Sequence, residues 1–382
     1  MSAEEIIGLI PSAELEFLAA ETKVDHQVKK LKGDLIFKLI LYSMLDSERM
    51  SLRVMETLLL SARFKHFSQN GELTTRHSSI RDRIANINPE YFKAIFEHLF
   101  SLYHPLLKVK DSLAIVDSTY VSLSAKLLNW GMSNGKKSNH TRQAKYTLCL
   151  KDGLPYRVRV FTEQRFISEN YALGETLEDI ELQEAVVVFD RGLQSRKALD
   201  KLADQNKLFI GRAKTTTRYK LIAAADLDEK PKDSSVTIIK DSRCFLTTKR
   251  GYTVNEFRLI EAVIDQSNES IFLVTNCFEL AAYEVAALYK KRWQIETFFK
   301  FLKQHLNLRH FIGRSQNAVQ VFVYMTLISA MLIMVYKELN KVSGFKIAKL
   351  RFEIELDNFM LKEIVTLCGG DPNKAPHLWK SP

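Results

Sequence analysis

The sequence predicts an α/β protein in which an all-helical N-terminal segment precedes the sheet and a β-rich insertion interrupts it. Three observations carry this expectation. The runs Leu113 to Val116 and Ala185 to Phe189 are wholly apolar and each is followed by an aspartate, as in strands buried on both faces of a helix-covered sheet. Residues 1–105 show apolar positions at helical spacing instead. Between Lys214 and Asn276, strand-like runs follow one another closely.

In the N-terminal segment, Asp34 after Gly33 opens an apolar run from Leu35 to Leu45. Ser51 is placed to cap a second helix reaching about Ala62, and Asn70-Gly71 makes a polar break. A helix from about His77 to Ile87 follows, and Pro89 starts another that carries Tyr91, Phe92, Ile95, Phe96 and Leu99. Two readings stay open here. The short helices form a helix-turn-helix-like module with Arg76, Arg81 and Arg83 facing phosphates, or an ordinary bundle with a solvated basic face.

After the first apolar strand, Tyr146 to Leu150 and Tyr156 to Phe161 flank Lys151-Asp152-Gly153-Leu154, a hairpin signal. The basic residues Lys136, Lys137, His140, Arg142 and Lys145 precede it, either tracking a DNA backbone or lying in a solvated loop. The second apolar strand leads to a helix from Ser195 to Asn206 and a strand at Leu208 to Ile210. In the insertion the expected strands are Val236 to Ile239, Cys244 to Thr247, Phe257 to Ile264 and Ile271 to Val274, with a charged turn at Asp226 to Asp233. A long helix from Leu280 to His305 comes next. Ala318 to Tyr336 is free of formal charge and long enough to cross a bilayer, but Gln320, Thr326 and Ser329 dilute it, so a buried core helix is expected and no membrane partner.

Lys and Arg exceed Asp and Glu by 10, which suits a polyanionic partner. The four cysteines are widely spaced with no CxxC pair, against a disulfide framework or structural zinc and for a reducing, cytoplasmic compartment. An acidic N-terminus with an early proline does not resemble a secretion signal.

The candidate chemistry lies in three carboxylates. Asp117 and Asp190 follow the two apolar strands, where open sheets present working residues and where a buried charge needs cationic compensation. On the long helix, Tyr289, Arg292, Glu296 and Lys303 fall within about 60° of one another at helical pitch. Glu296 is the one acid between Ala286 and Arg314, against seven Lys and Arg. A solvated basic face with a stray ion pair to Arg292 or Lys300 would explain the charge but not the alignment with two distant aspartates. Three oxygen ligands suit Mg²⁺ or Mn²⁺, and two such ions would serve an in-line phosphoryl displacement.

Asp117 in Val-Asp-Ser-Thr, Asp190 in Phe-Asp-Arg-Gly and the string Tyr289-x2-Arg292-x3-Glu296-x6-Lys303 resemble the DDE transposases of insertion sequences. The last string is similar to the Y-R-E-K signature of the IS-four family, as are the surrounding residues 288–300 and Leu-Val-Thr-Asn at 273–276. The resemblance spans roughly residues 112 to 335. It implies a ribonuclease H-like core at 106–213 and 277–340, split by the insertion at 214–276. The helical domain at 1–105 carries no matching motif, and its expected role in binding transposon ends rests on its position and its basic residues. Residues 341–382 are expected as a C-terminal tail, a candidate for dimerisation.

The resemblance further implies a bacterial, DNA-associated enzyme that nicks a strand at the element's edge. The freed 3′-hydroxyl then attacks across the duplex or into target DNA. Asp117, Asp190 and Glu296 would be metal ligands for Mg²⁺ or Mn²⁺, as two ions. Tyr289, Arg292 and Lys303 would contact phosphates, with Arg191, Trp293 and Lys300 as further DNA-contact candidates; for Trp293 the open readings are a place at the site's rim or a half-buried core position. The partners would be the terminal inverted repeats, target DNA and a second copy of the chain in a synaptic homodimer. Relatives that stack a flipped base on an insertion tryptophan differ, because residues 214–276 hold no Trp; either Phe245, Tyr252 or Phe257 substitutes, or the hairpin route differs here. The alternatives are a nuclease of the same fold or an inactive, transposase-derived DNA-binding protein.

Overall fold

The computed structural model describes residues 1–382 except 47–49, 69–73, 109–111, 124–130, 134–141, 182–184, 307, 309–312, 314 and 380–382. The Asn70-Gly71 break and the basic residues Lys136, Lys137 and His140 lie outside the described residues. The chain divides into two compact units, Val109–Phe298 and a second made of Met1–Lys108 with Phe299–Pro382.

The discontinuous unit is helical. Helices Gly33–Asp46, His77–Asn86 and Pro89–Tyr103 stand close to the sequence expectation. The helix expected from Ser51 to Ala62 is instead two, Leu52–Leu60 and Ala62–Ser68. Ser61 causes the break: its backbone is extended and its hydroxyl accepts from Phe64 N at 3.2 Å, capping the second helix. At the centre lies Gln316–Leu339, packed against Gly33–Asp46, His77–Asn86, Pro89–Tyr103 and Phe345–Leu367. Every residue from Ala318 to Tyr336 is buried except Gln320 and Tyr324, which are half-buried.

Residues 299–340, expected with the sheet, and 341–382, expected as a tail, both cluster with the N-terminal helices. A helix apolar around its whole circumference needs cover on every side, and in this unit helices supply it. Phe345–Leu367 contributes through Ala348, Phe352, Leu356 and Met360, a stripe at spacing four.

The continuous unit is built on one sheet. Its strands are β1 (Leu113–Leu123), β2 (Met132–Ser133), β3 (Arg142–Lys151), β4 (Leu154–Phe161), β5 (Val186–Phe189), β6 (Phe209–Ala213), β7 (Tyr219–Ala224), β8 (Val236–Thr248), β9 (Gly251–Tyr252), β10 (Phe257–Ile264) and β11 (Glu269–Thr275). The order is β2-β3-β1-β5-β6-β11-β10-β8-β7, with β4 beside β3 and β9 beside β8. The antiparallel β1, β3 and β4, followed by the parallel β5 and β6, each reached through a helix, form the expected ribonuclease H-like arrangement.

The hairpin β3–β4 turns through Asp152 and Gly153, both at positive φ, as a two-residue primed turn requires. Its tip is tied to β1, because Asp152 Oδ1 accepts from Leu113 N at 2.8 Å. The insertion is not a separate module: β11 pairs antiparallel with β6, so β7 to β11 extend the core sheet. Two strands expected at 236–239 and 244–247 are one, β8. The Leu-Val-Thr-Asn string makes the splice, since Asn276 Oδ1 accepts from Phe209 N at 2.8 Å and its amide donates to Lys207 O at 3.0 Å.

Candidate active site

Parallel pairing of β1 and β5 sets Val116 opposite Phe189, so Asp117 and Asp190 leave the ladder side by side. Asp190 ends its strand as expected. Asp117 does not: β1 continues to Leu123, paired with β3, because from Thr119 on the side chains alternate, Thr119, Val121 and Leu123 buried and Tyr120 and Ser122 exposed. Asp117 sits where β5 stops, which opens one side of it.

The helix expected from Leu280 to His305 is interrupted. Ala282–Lys290 and Trp293–His305 are separate helices joined at Lys291 and Arg292. Around the joint the backbone bonds shorten their span: Arg292 N donates to Tyr289 O at 3.0 Å and Ile295 N to Arg292 O at 3.1 Å. Bonds to the third residue back wind the chain more tightly than an α-helix, so a constant helical pitch does not hold across 289–296. The joint turns Arg292 inward and leaves Trp293 64% exposed.

Three members of the signature nevertheless meet the aspartates. The Tyr289 hydroxyl donates to Asp190 Oδ1 at 3.1 Å. Arg292 pairs with Glu296 Oε1 at 2.7 Å and approaches Asp117 Oδ2 at 3.9 Å. Its guanidinium is buried, and its Nε has no hydrogen-bond partner. Burial opposes the Arg292 charge, but Tyr289, Asp190 and Glu296 outweigh it and raise the guanidinium's proton affinity. Burial likewise pushes the Tyr289 phenol up, with Asp190 adding to it.

Asp117 is the most perturbed acid of the group. Burial raises it to about 6, against the opposing Ser118 amide, which donates to Oδ1 at 2.7 Å, and against Arg292; Asp190 and Glu169 raise it further. A carboxyl so short of stabilising donors fits a cation ligand. The donor set is oxygen only, the chemistry of hard divalent ions rather than zinc. Among the described residues, no three His, Cys, Asp or Glu side chains converge as they stand to hold an ion. Glu296 is turned to Arg292, whose guanidinium supplies the positive charge between Glu296 and Asp117.

The remaining candidates lie apart from this cluster or at its edge. Arg191 is exposed in the turn after Asp190. Trp293, with the Arg292 guanidinium 5.9 Å from its ring centre, lines a cavity of about 730 Å³ together with Tyr289, Arg212, Ser235 and Ile271. Lys300 is exposed and Lys303 half-buried on the same helix, beyond Phe299 and within the helical unit. Lys145 is fully buried, which overturns both sequence readings of it as an exposed base. Arg83, expected to face phosphates, instead donates to Leu31 O at 2.8 Å, Val24 O at 2.9 Å and Asp25 Oδ1 at 3.0 Å.

Sequence reasoning missed Glu169 and its helix, Glu169–Asp179. Lys145 Nζ lies 3.0 Å from Glu169 Oε1 and donates to Ile167 O at 2.9 Å. The signal was Gly192 in Phe-Asp-Arg-Gly: a Cβ there would meet Leu173 at 2.8 Å and Glu169 at 2.9 Å, so only glycine lets this helix approach.

Paired acids at adjoining strands of an α/β sheet, beside a buried arginine, suit an enzyme of phosphoryl chemistry, and comparison with known proteins makes the class specific. The family described as Transposase DDE domain matches residues 108–332. The chain belongs to the DDE transposases. It is 30% identical over 278 residues to a transposase of the insertion sequence element IS4SA from Synechocystis, covering 70% of this chain and 74% of that one. It is 27% identical over 247 residues to a transposase of the element IS5377 from Geobacillus stearothermophilus, covering 64% of this chain and 62% of the relative. A transposase from Sinorhizobium fredii, y4zB, is 27% identical over 267 residues, 68% of this chain and 72% of its own. Among solved structures, the piggyBac transposase synaptic complex with hairpin DNA aligns with a TM-score of 0.44 at 10% identity, over 87% of this chain and 72% of that chain. Membership implies a DNA substrate and a general dependence on divalent metal.

Proposed function

We propose that this chain cleaves and rejoins DNA strands at the ends of an insertion sequence, with Asp117, Asp190 and Glu296 as the divalent-metal ligands. The observation that carries the reading is the contact of Arg292 with both Asp117 and Glu296, beside the Tyr289–Asp190 hydrogen bond. It joins two strands and a helix distant in sequence through four types of side chain suited to phosphate chemistry. The metal would be Mg²⁺ or Mn²⁺, as two ions, activating the attacking oxygen and stabilising the leaving one.

The protein's own groups take the other tasks. Tyr289 holds the Asp190 carboxylate in one orientation. Arg292, paired with Glu296, is placed to offer its guanidinium to a phosphate oxygen. Arg191, Lys300, Lys303 and Trp293 serve the flanking strand, the last through its exposed ring. The substrates are terminal inverted repeats and target DNA, bound by a homodimer, with residues 1–105 contributing to end recognition through exposed bases such as Arg76.

The test uses the full chain and a plasmid carrying the element's own ends, with Mg²⁺ or Mn²⁺. Glu296→Gln is expected to lower boundary cleavage by more than about a hundredfold, since even outer partners of metal ligands are worth about 10–100-fold. Cleavage that survives the substitution removes Glu296 from the site. Cutting without joined products identifies a nuclease instead.

A further inference from the structure

Glu169 opens the helix Glu169–Asp179, which packs on the loop after Asp190. The next residue fixes that position: Asn170 Oδ1 accepts from Gln194 N at 2.6 Å and Ser195 N at 2.9 Å. The Glu169 stem lies over Gly192, two residues beyond Asp190, and its charge is among those that act on Asp117. Glu169 therefore acts on Asp117 from a third element and packs on the turn that follows Asp190.

One of its oxygens is accounted for and the other is not. Oε1 pairs with Lys145, a lysine with no exposed surface that also donates to Ile167 O and lies 4.8 Å from the centre of the Tyr120 ring. Oε2 is buried without a hydrogen-bond partner. If the pair served only to neutralise Lys145, leaving that oxygen dry would cost free energy for no return. The nearby Arg292, nine-tenths buried with an unpartnered Nε, shows the same shortage of partners around these acids.

We propose that Glu169 is a fourth carboxylate of the divalent-cation site, its free oxygen accepting from the cation's water shell, with Lys145 as the residue that positions it. This rests on the assignment of Asp117, Asp190 and Glu296 as the metal site. Lys145 leaves Oε2 one direction to serve, and the helix N-terminus reduces the cost of a further negative charge there. With four acids rather than three, the cluster meets the charge of two divalent ions in full.

The experiment is direct Mn²⁺ binding to the full-length protein without DNA, read from the electron paramagnetic resonance signal of free Mn²⁺. Glu169→Gln keeps an oxygen for Lys145 and most of the volume; loss of the charge opposite a buried lysine should lower its melting temperature, so the melting curve without metal sets a temperature at which both proteins are folded and binding is compared. The substitution is expected to weaken Mn²⁺ binding by about 10–100-fold, the usual effect of losing an outer partner. If the Gln variant does not fold, Glu169→Asp keeps the charge but withdraws the oxygen, and weaker binding is again expected. Asp190→Asn runs in parallel. Loss of binding in Asp190→Asn with unchanged binding in the Glu169 variants overturns this proposal alone. Unchanged binding in all variants overturns the metal site itself.

Discussion

Burial of the Asp117 carboxyl, with Asp190 and Glu169 nearby, holds its pKa at about 6, against about 3.9 for an exposed aspartate. Between those values the folded protein binds the proton and the unfolded chain does not. The cost of the buried charge is thus absent at low pH and grows as pH rises from about 4 to 6, to at most about 3 kcal/mol. Metal-free protein should lose stability over that window, and Asp117→Asn should flatten the loss in urea titrations. On the proposed assignment of Asp117 as a metal ligand, a cation would have to displace the same proton, so cleavage should fall as pH drops through about 6 at low Mg²⁺. Raising Mg²⁺ should move the midpoint to lower pH; a midpoint independent of Mg²⁺ would separate Asp117 from the ion. At this scale the sequence made both aspartates and Glu296 legible, because apolar runs and a lone acid in a basic helix are local patterns. Glu169 was not legible, since its neighbours Lys145 and Gly192 lie more than twenty residues away on either side.

Among the elements, the joint at Lys291–Arg292 decides which side chains of 289–296 face the aspartates. No Gly or Pro marks it, so periodicity alone reads through it as one helix. The helix before the joint is held by a buried pair on the sheet. Arg258 on β10 bonds Asp241 on β8 and also donates to Cys277 O at 2.8 Å and to Leu280 O, the segment that leads into Ala282–Lys290. Both partners are buried, and removing one leaves the other charge unpaired. Arg258→Met should destabilise the sheet-bearing unit by about 3–5 kcal/mol, measured by urea unfolding. A change under about 1 kcal/mol would show that the pair carries no structural load. The same variant should weaken cleavage at permissive temperature, because the carbonyls that anchor the Tyr289 helix lose their donor.

For the whole chain, the two units draw on interleaved stretches of sequence, and this governs what can be cut away. The helix Gln316–Leu339 is 89% buried over its most apolar window, and helices from residues 33–103 supply much of its cover. Among the described residues it alone is long and apolar enough to cross a membrane. Deletion of residues 1–105 should therefore expose it and give aggregated protein with a cooperative unfolding transition lost, rather than a folded core lacking end recognition. A soluble, monodisperse 106–382 fragment by size-exclusion chromatography would contradict that dependence. End recognition is better tested at Arg76, which is exposed, than at Arg83, whose donors are spent inside the bundle.

Local order was in the sequence by itself: the buried strands β1 and β5, the primed hairpin at Asp152-Gly153, the cap at Ser51, the helix start at Pro89, and the acids that close the parallel ladder. Each depends on a few adjacent residues whose spacing or φ preference is fixed by backbone geometry. Only the tertiary structure decided that β7 to β11 lengthen one sheet, that residues 299–382 join the N-terminal helices, and that Lys145 is buried against Glu169. Those outcomes turn on which apolar faces cover one another and on whether a charge finds a partner far along the chain, and neither is set by any window of neighbouring residues.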